Sequence, residues 1–268
     1  MKAIVKGSLL VGVLLILGAG LFAGLRPISG PEKKRRVTIA AASDLKFALD
    51  ELVNGFRAEN PGAEVQVTYG SSGNFLAQIS NGAPFDVFLS ADVAYPRKLV
   101  EQGLVQDDVF LYAVGRIVLW VPKGSSLAVE QLGMKVLLEP AARRIAIANP
   151  QHAPYGRAAE SAMKSQGVYE AVKDKLVLGE NIAQTAQFVE SGNADVGIIA
   201  LALALAPVMK DKGQHWEVPL DAYPRMEQGG AILKRAQDVE LARRFRDYLL
   251  GPQGKALLER YGFFLPKG

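Results

Sequence analysis

The stretch "TYGSSGNFLAQI", Thr68 to Ile79, runs from an alternating, strand-like segment into a helix-like one through four small residues, Gly70 to Gly73. Amides in the first turn of a helix have no carbonyl partner within it, and the helix dipole makes that end partly positive. A bare, small-residue helix start therefore suits an anion. The same residues also make ordinary turns and caps, so the stretch alone leaves both readings open.

Working outward, "AEVQVTYG" alternates as a strand, and "NFLAQISNG" reads as a helix ending near Asn81-Gly82. Upstream, Val37 to Ala41 form a short apolar strand and Ser43 is a candidate N-cap. Leu45, Ala48, Leu49, Leu52, Val53 and Phe56 then recur at helical spacing. Downstream, "FDVFLSAD", "RIVLWVP", "RRIAIANP" and "ADVGIIAL" are further short apolar runs, separated by helical stretches such as 158–166 and 183–191. Strands alternating with helices predict an α/β fold with parallel sheets, whose ligands gather where a strand ends and the next helix begins. Four such junctions carry small or polar residues: Ser43, Gly70 to Gly73, Pro154-Tyr155-Gly156, and Gly179 to Ile182. "ALALALAP", Ala200 to Pro207, reads as a buried helix start.

The chain of 268 residues, 49% hydrophobic and 8% aromatic, is long enough for one large or two smaller domains with a substantial core. Lys2 and Lys6 precede an uncharged apolar run from Gly7 to Leu25, the pattern of an export signal in residues 1–26. Retention of 7–25 as an inner-membrane tether is the alternative, since a spanning helix needs about 20 apolar residues. Without residues 1–26 the chain has 28 basic against 27 acidic residues, a balance of +1 against +4 for the whole. Lys33 to Arg36 read as a solvated arm. No basic stripe interleaved with aromatics is present, which sets nucleic-acid binding aside. The absence of cysteine excludes disulfides and thiolate metal sites.

Catalytic patterns are missing. The two histidines are His152 and His215, and neither a G-x-S-x-G elbow nor a phosphate-cradling P-loop occurs. Asp86, Asp92 and Asp195 lie in no recognisable metal-ligand spacing and suit capping and surface pairing. An extracytoplasmic hydrolase pairing Ser72 with His152 is the reading from a different class. No cofactor pattern is found.

Five segments in order, "AAASDLKFALDEL", "YGSSGNFLAQISNGAPFDVFLSAD", "NPQHAPYGRAAE", "GENIAQTAQFVESGNADVGII" and "YLLGPQGKALLERYGFFLP", resemble the periplasmic molybdate-binding proteins, solute receptors of molybdate ABC transporters. The resemblance covers Val37 to Pro266. It implies a two-lobe, type II periplasmic-binding-protein fold, each lobe a mainly parallel sheet flanked by helices, with the ligand in the cleft between them. Residues 37–112 and 222–268 are expected in lobe 1 and 113–221 in lobe 2, with crossings near Leu111–Val114 and Pro219–Pro224. It also implies a periplasmic monomer, not an enzyme, that passes molybdate or tungstate to the permease subunits of an importer. Carried over by motif, the ligand residues are Ser43 and Ser72, through hydroxyl and amide, and Tyr155 and Ile182, through backbone amides. They hold molybdenum as an oxyanion and not as a bare cation.

One departure stands out. Many relatives carry a tyrosine in a "G-I-V-Y" sequence that donates to the ligand, and here that position is Ala200. Tyr155, beside the anion site, is expected to supply the missing hydroxyl. A pocket made only of donors suits molybdate, which carries no proton at neutral pH. Phosphate often keeps one and calls for an acceptor such as a carboxylate. Asp44 adjoins Ser43, but a first-turn position is expected to point it outward. Sulfate, the alternative ligand, has the same charge and shape in a smaller size, so cavity dimensions alone can reject it. Arg157 is expected at the rim.

Overall fold

The computed structural model describes residues 35–266, so the export segment assigned to 1–26 and the start of the basic arm lie outside the described residues. The chain runs β1 (Arg35–Ala42), α1 (Lys46–Glu59), β2 (Ala63–Gly70), α2 (Ser72–Ser80), β3 (Val87–Ser90), α3 (Ala94–Glu101) and β4 (Phe110–Gly115). It continues through β5 (Ile117–Pro122), α4 (Val129–Leu132), β6 (Ile145–Ala148), α5 (Pro154–Ser165), α6 (Tyr169–Val172), β7 (Leu176–Gly179) and α7 (Ile182–Glu190). Then come β8 (Val196–Ala200), α8 (Leu201–Ala204), β9 (Gly213–Glu217), β10 (Met226–Ile232), α9 (Val239–Leu250) and α10 (Pro252–Arg260).

The strands form two five-stranded sheets, ordered β2-β1-β3-β10-β4 and β7-β6-β8-β5-β9. Strand directions follow from the route of the chain. β1, β2 and β3 are mutually parallel, as are β6, β7 and β8. Among the described strands only β10 and β5 run against both their neighbours. These are the two strands that open on arrival from the other sheet. The chain leaves β4 at Gly115 and enters β5 at Ile117, and leaves β9 at Glu217 to enter β10 at Met226. A strand entered from the facing side runs away from it, opposite to those that end there.

The helices form where apolar spacing predicts them. In α1 the buried residues are Ala48, Leu49, Leu52, Val53 and Phe56, one helical stripe. Phe56 meets Phe245 of α9 edge to face at 5.2 Å, which fastens the C-terminal helices to the first sheet. Leu201–Ala204 form the buried short helix expected of the Ala-Leu run. The arm reading needs adjustment, because β1 begins at Arg35, whose guanidinium is held by Asp238 at 2.6 and 2.7 Å. β4, β9 and β10, with polar or glycine-rich stretches such as "GQHWE" and "MEQGGAI", were not evident as strands in the sequence.

Candidate functional site

Four strand ends of the two sheets converge. After β1 the chain makes a tight 3-10 turn, Ser43–Leu45, wholly buried. After β2, Ser71 caps the start of α2 in extended conformation, so Ser72 opens the helix. From the second sheet, Pro154 and Tyr155 are the first two residues of α5, and Ile182 is the first of α7. Proline suits that place because its missing N–H would be unpaired there anyway. The amides of Ser72, Tyr155 and Ile182 thus fall in first-turn positions, where a helix supplies no acceptor.

Ser43, Ser72, Tyr155 and Ile182 all line one small cavity of about 10 Å3, together with Ala42, Asp44, Gly70, Ser71, Ala91, Ala153 and Pro154. No Lys, Arg or His is among these residues. Larger surface hollows exist, including one lined by Arg97, Asp107 and Arg246, but none of the four sits in them. Ser43 and Ser72 are 2% and 0% exposed. Ser72 Oγ accepts from the Ala91 amide at 3.0 Å, which leaves its own hydrogen to donate elsewhere. Ser43 Oγ donates to Asn181 Oδ1 at 3.0 Å and accepts from the Ala183 amide at 3.2 Å. Ser43 therefore does not cap α1: the 3-10 turn sets it ahead of that helix, and its hydroxyl reaches across to the start of α7 instead.

Glycine explains how closely the two sides approach. A Cβ on Gly73 would lie 2.6 Å from the carbonyl oxygen of His152, which accepts the Gly73 amide at 2.9 Å. On Gly156 it would lie 2.0 Å from the carbonyl oxygen of Ala148, so only glycine lets α5 start against the end of β6. The small-residue turn of the first sheet thus serves both as a helix start and as a place where backbones from the two sides meet.

Two expectations are corrected. Asp44 does not point outward: it is 1% exposed, because a 3-10 turn in place of an α-helical one rotates its side chain inward. Its Oδ2 accepts from the Tyr155 hydroxyl at 2.9 Å and from Gln228 Nε2 at 2.7 Å. The Tyr155 hydroxyl, expected to face a ligand, is thereby engaged with Asp44, and it also accepts from Gln228 at 3.1 Å. Ala200 is fully buried and does not line the cavity. Burial pushes the Asp44 carboxyl up to about 6, against the opposing pull of bonds from Gln228 and Tyr155. Burial, and then the Asp44 charge, push the Tyr155 hydroxyl well above its usual range.

At the rim, Arg157 pairs with Asp92 at 2.8 Å and donates to the Tyr95 hydroxyl at 2.8 Å. Being partly exposed, that pair is worth about 0–1 kcal/mol. His152 Nδ1 lies 3.0 Å from Ser71 Oγ and Nε2 lies 3.6 Å from Glu180. The Ser72–His152 pair of the hydrolase reading is not assembled, since His152 meets the neighbouring serine. Asp86 and Asp195 cap backbone amides, at Thr38 and Gln237 and at Arg143 and Arg144. Among the described residues no His/Asp/Glu cluster could hold a metal ion. Sequence reasoning missed Asn181 and Gln228. "G-E-N-I" before a helix signalled Asn181 as a cap, whereas Gln228 gave no signal.

Residues 37–264 match the family described as bacterial extracellular solute-binding protein. Molybdate-binding protein ModA of Azotobacter vinelandii is 37% identical over 254 residues, covering 94% of this chain and 97% of that protein. The chain belongs to this solute-binding family, on its ModA branch. ModA of Rhodobacter capsulatus is 36% identical, across 92% of this chain and 95% of its own. The solved structure of the Azotobacter vinelandii periplasmic molybdate-binding protein matches with a TM-score of 0.81 at 34% identity, covering 86% of this chain and 100% of that one. These ModA relatives are binding proteins and not enzymes.

Proposed function

We propose that this ModA-family chain is the periplasmic receptor of an ABC importer, binding molybdate between its two lobes and presenting it to the permease subunits. The observation that carries this reading is the convergence of Ser43, Ser72, Tyr155 and Ile182 on one cavity that no basic side chain lines. The Ser72 hydroxyl, whose hydrogen is unspent, and the first-turn amides of Ser72, Tyr155 and Ile182 offer hydrogens to an anion that has only acceptors, while the Ser43 hydroxyl, bonded to Asn181, ties the two sides together. Hydrogen bonds to a charged acceptor are about twice as strong as neutral ones, so full neutralisation is unnecessary. The residues bond the oxygens of the oxyanion and never the metal. Tungstate, of like charge and shape, is expected to share the site.

In this reading β1 to β4 with β10, α9 and α10 form one closing body and β5 to β9 the other, so the expected boundary at 112/113 moves to the end of β4, with hinges where the chain crosses at Arg116 and between Val218 and Arg225. The receptor acts as a monomer, exported with residues 7–25 either removed or kept as a tether. Titration calorimetry of the full-length chain with molybdate, tungstate, sulfate and phosphate in turn tests the proposal. Tight one-to-one binding of the first two, with a weak sulfate response, is expected. Equal binding of sulfate, or no binding of any, would refute the molybdate assignment.

A further inference from the structure

Among the described residues two buried side-chain acceptors have no donor: Asp44 Oδ1 and Gln228 Oε1. Both belong to one cluster, since Gln228 Nε2 and the Tyr155 hydroxyl meet at Asp44 Oδ2. Asp44 also lines the cavity with Ser43 and Ser72. A buried carboxylate oxygen without a donor is costly, and a dianion placed beside it, with no basic side chain in the wall, adds like-charge repulsion. One proton removes both penalties. On Asp44 it turns an acceptor into a donor aimed at an oxyanion oxygen, and on the ligand it gives the carboxylate its missing partner.

Burial outweighs the backbone amides of Asp44 and Leu45, which pull the carboxyl toward its charged form. The facing groups are the Tyr155 hydroxyl from α5, the Gln228 amide from β10 and the Tyr112 hydroxyl from β4, which is spent on the Ser90 carbonyl at 3.0 Å. α7 and α8, which pack on the Ser43–Leu45 turn, present uncharged residues there: Ile182, Ala183 and Leu201 to Ala204. Arg157 at the rim is bound to Asp92, and Lys46, at the start of α1 beside the turn, is paired with Asp50. Gln228 can serve either protonation state by turning its amide, giving NH2 to a carboxylate or its carbonyl to a carboxylic acid.

We propose that the site takes up its oxyanion together with one proton, held between Asp44 and a ligand oxygen. No bond other than hydrogen bonds forms, and the proton comes from solvent. This rests on the oxyanion-receptor reading and adds to it a specificity: the site is selective for an oxyanion plus H+, and Asp44 is the residue that enforces it. Because burial already raises the carboxyl to about 6 in the free protein, uptake should be near one half at pH 6 and near one at pH 8.

The test is calorimetry of the full-length chain with sodium molybdate from pH 6 to 8.5, in paired buffers of different ionisation enthalpy, which counts protons directly. Uptake approaching one proton at pH 8, with affinity falling about tenfold per pH unit above pH 7, is the expected result. Asp44→Asn should bind with no proton uptake and a flat pH profile. Molybdate binding at pH 8 with no proton uptake overturns the inference and leaves the receptor reading standing. No molybdate binding at pH 6 overturns both. Should Asp44→Asn fail to fold, the wild-type proton count decides alone.

Discussion

The two lobes share a plan and differ in what they offer. Position by position, β2-β1-β3-β10-β4 corresponds to β7-β6-β8-β5-β9, and of each parallel trio all three strand ends reach the cavity in the first lobe and two in the second. The first lobe brings short side chains, Ser43 and Ser72, with the ionisable Asp44 in the same cavity wall. The second brings backbone, the amides of Tyr155 and Ile182; their side chains are 2% and 4% exposed, Ile182 packing in the core and the Tyr155 hydroxyl holding Asp44. In one lobe, then, the chemistry is written in residue types. In the other it is written in the position of a helix start, which many residue types could fill.

The largest effect that tests this contrast is on stability. The folded value of Asp44, about 6, lies above its ordinary 3.8, so the folded state holds the extra proton between those values. Stability attached to Asp44 is therefore complete below pH 4 and lost as pH rises through 6. Two units at about 1.36 kcal/mol each make the penalty above pH 6 about 3 kcal/mol. Asp44→Asn should recover part of it, seen as a higher urea midpoint at pH 8 and little change at pH 4. An equal shift at both pH values would count against the assignment.

Next in size is a matched set on donors. Ile182→Pro removes the amide while suiting the first helical position, and Asn181 before it is already extended, at φ −151° and ψ 174°. It should weaken molybdate binding about 10- to 100-fold with helicity intact by circular dichroism, the cost of one hydrogen bond to a charged group. Ser72→Ala should cost a similar factor, whereas Ile182→Val should change affinity less than about twofold. If Ile182→Val weakens binding as much as Ile182→Pro does, the second lobe acts through side chains after all.

The smallest effect concerns approach. Gly73→Ala puts a methyl group against the His152 carbonyl, so the lobes should close less far. Small-angle scattering with molybdate should then show less compaction than in wild type, with a modest loss of affinity and an unchanged free protein. Full compaction in the variant would show that the His152 segment yields.

The same contrast explains what could be read in advance. Alternation and helical spacing disclosed the α/β plan, since Val37 to Ala41 and the α1 stripe need only local periodicity. Ser43 and Ser72 were singled out by the resemblance of their motifs, since Gly and Ser at a strand end also make ordinary turns and caps. Asp44 was misjudged because an α-helical first turn and a 3-10 turn aim the same residue differently, and three residues of sequence do not distinguish them. The Ser43–Asn181 and Asp44–Gln228 bonds join residues 138 and 184 positions apart, which no local pattern discloses. β10 escaped notice because Gly229 and Gly230 dilute its β character, and they are needed there: a Cβ would strike Val93 at 2.7 Å and Phe110 at 2.4 Å.

The meeting of Gly73 with the His152 carbonyl has a consequence for measurement at the molecular scale. Two main chains in contact form the end-stop of a caliper, for peptide groups yield far less than side chains do. The jaws can shut to one setting and no further, whatever lies between them. An anion smaller than that setting leaves gaps that its hydrogen bonds cannot span, and a larger one holds the jaws off the stop. On the proposed receptor function, size, the property by which molybdate differs from sulfate at equal charge and shape, would be gauged at Gly73, which is not among the residues lining the cavity.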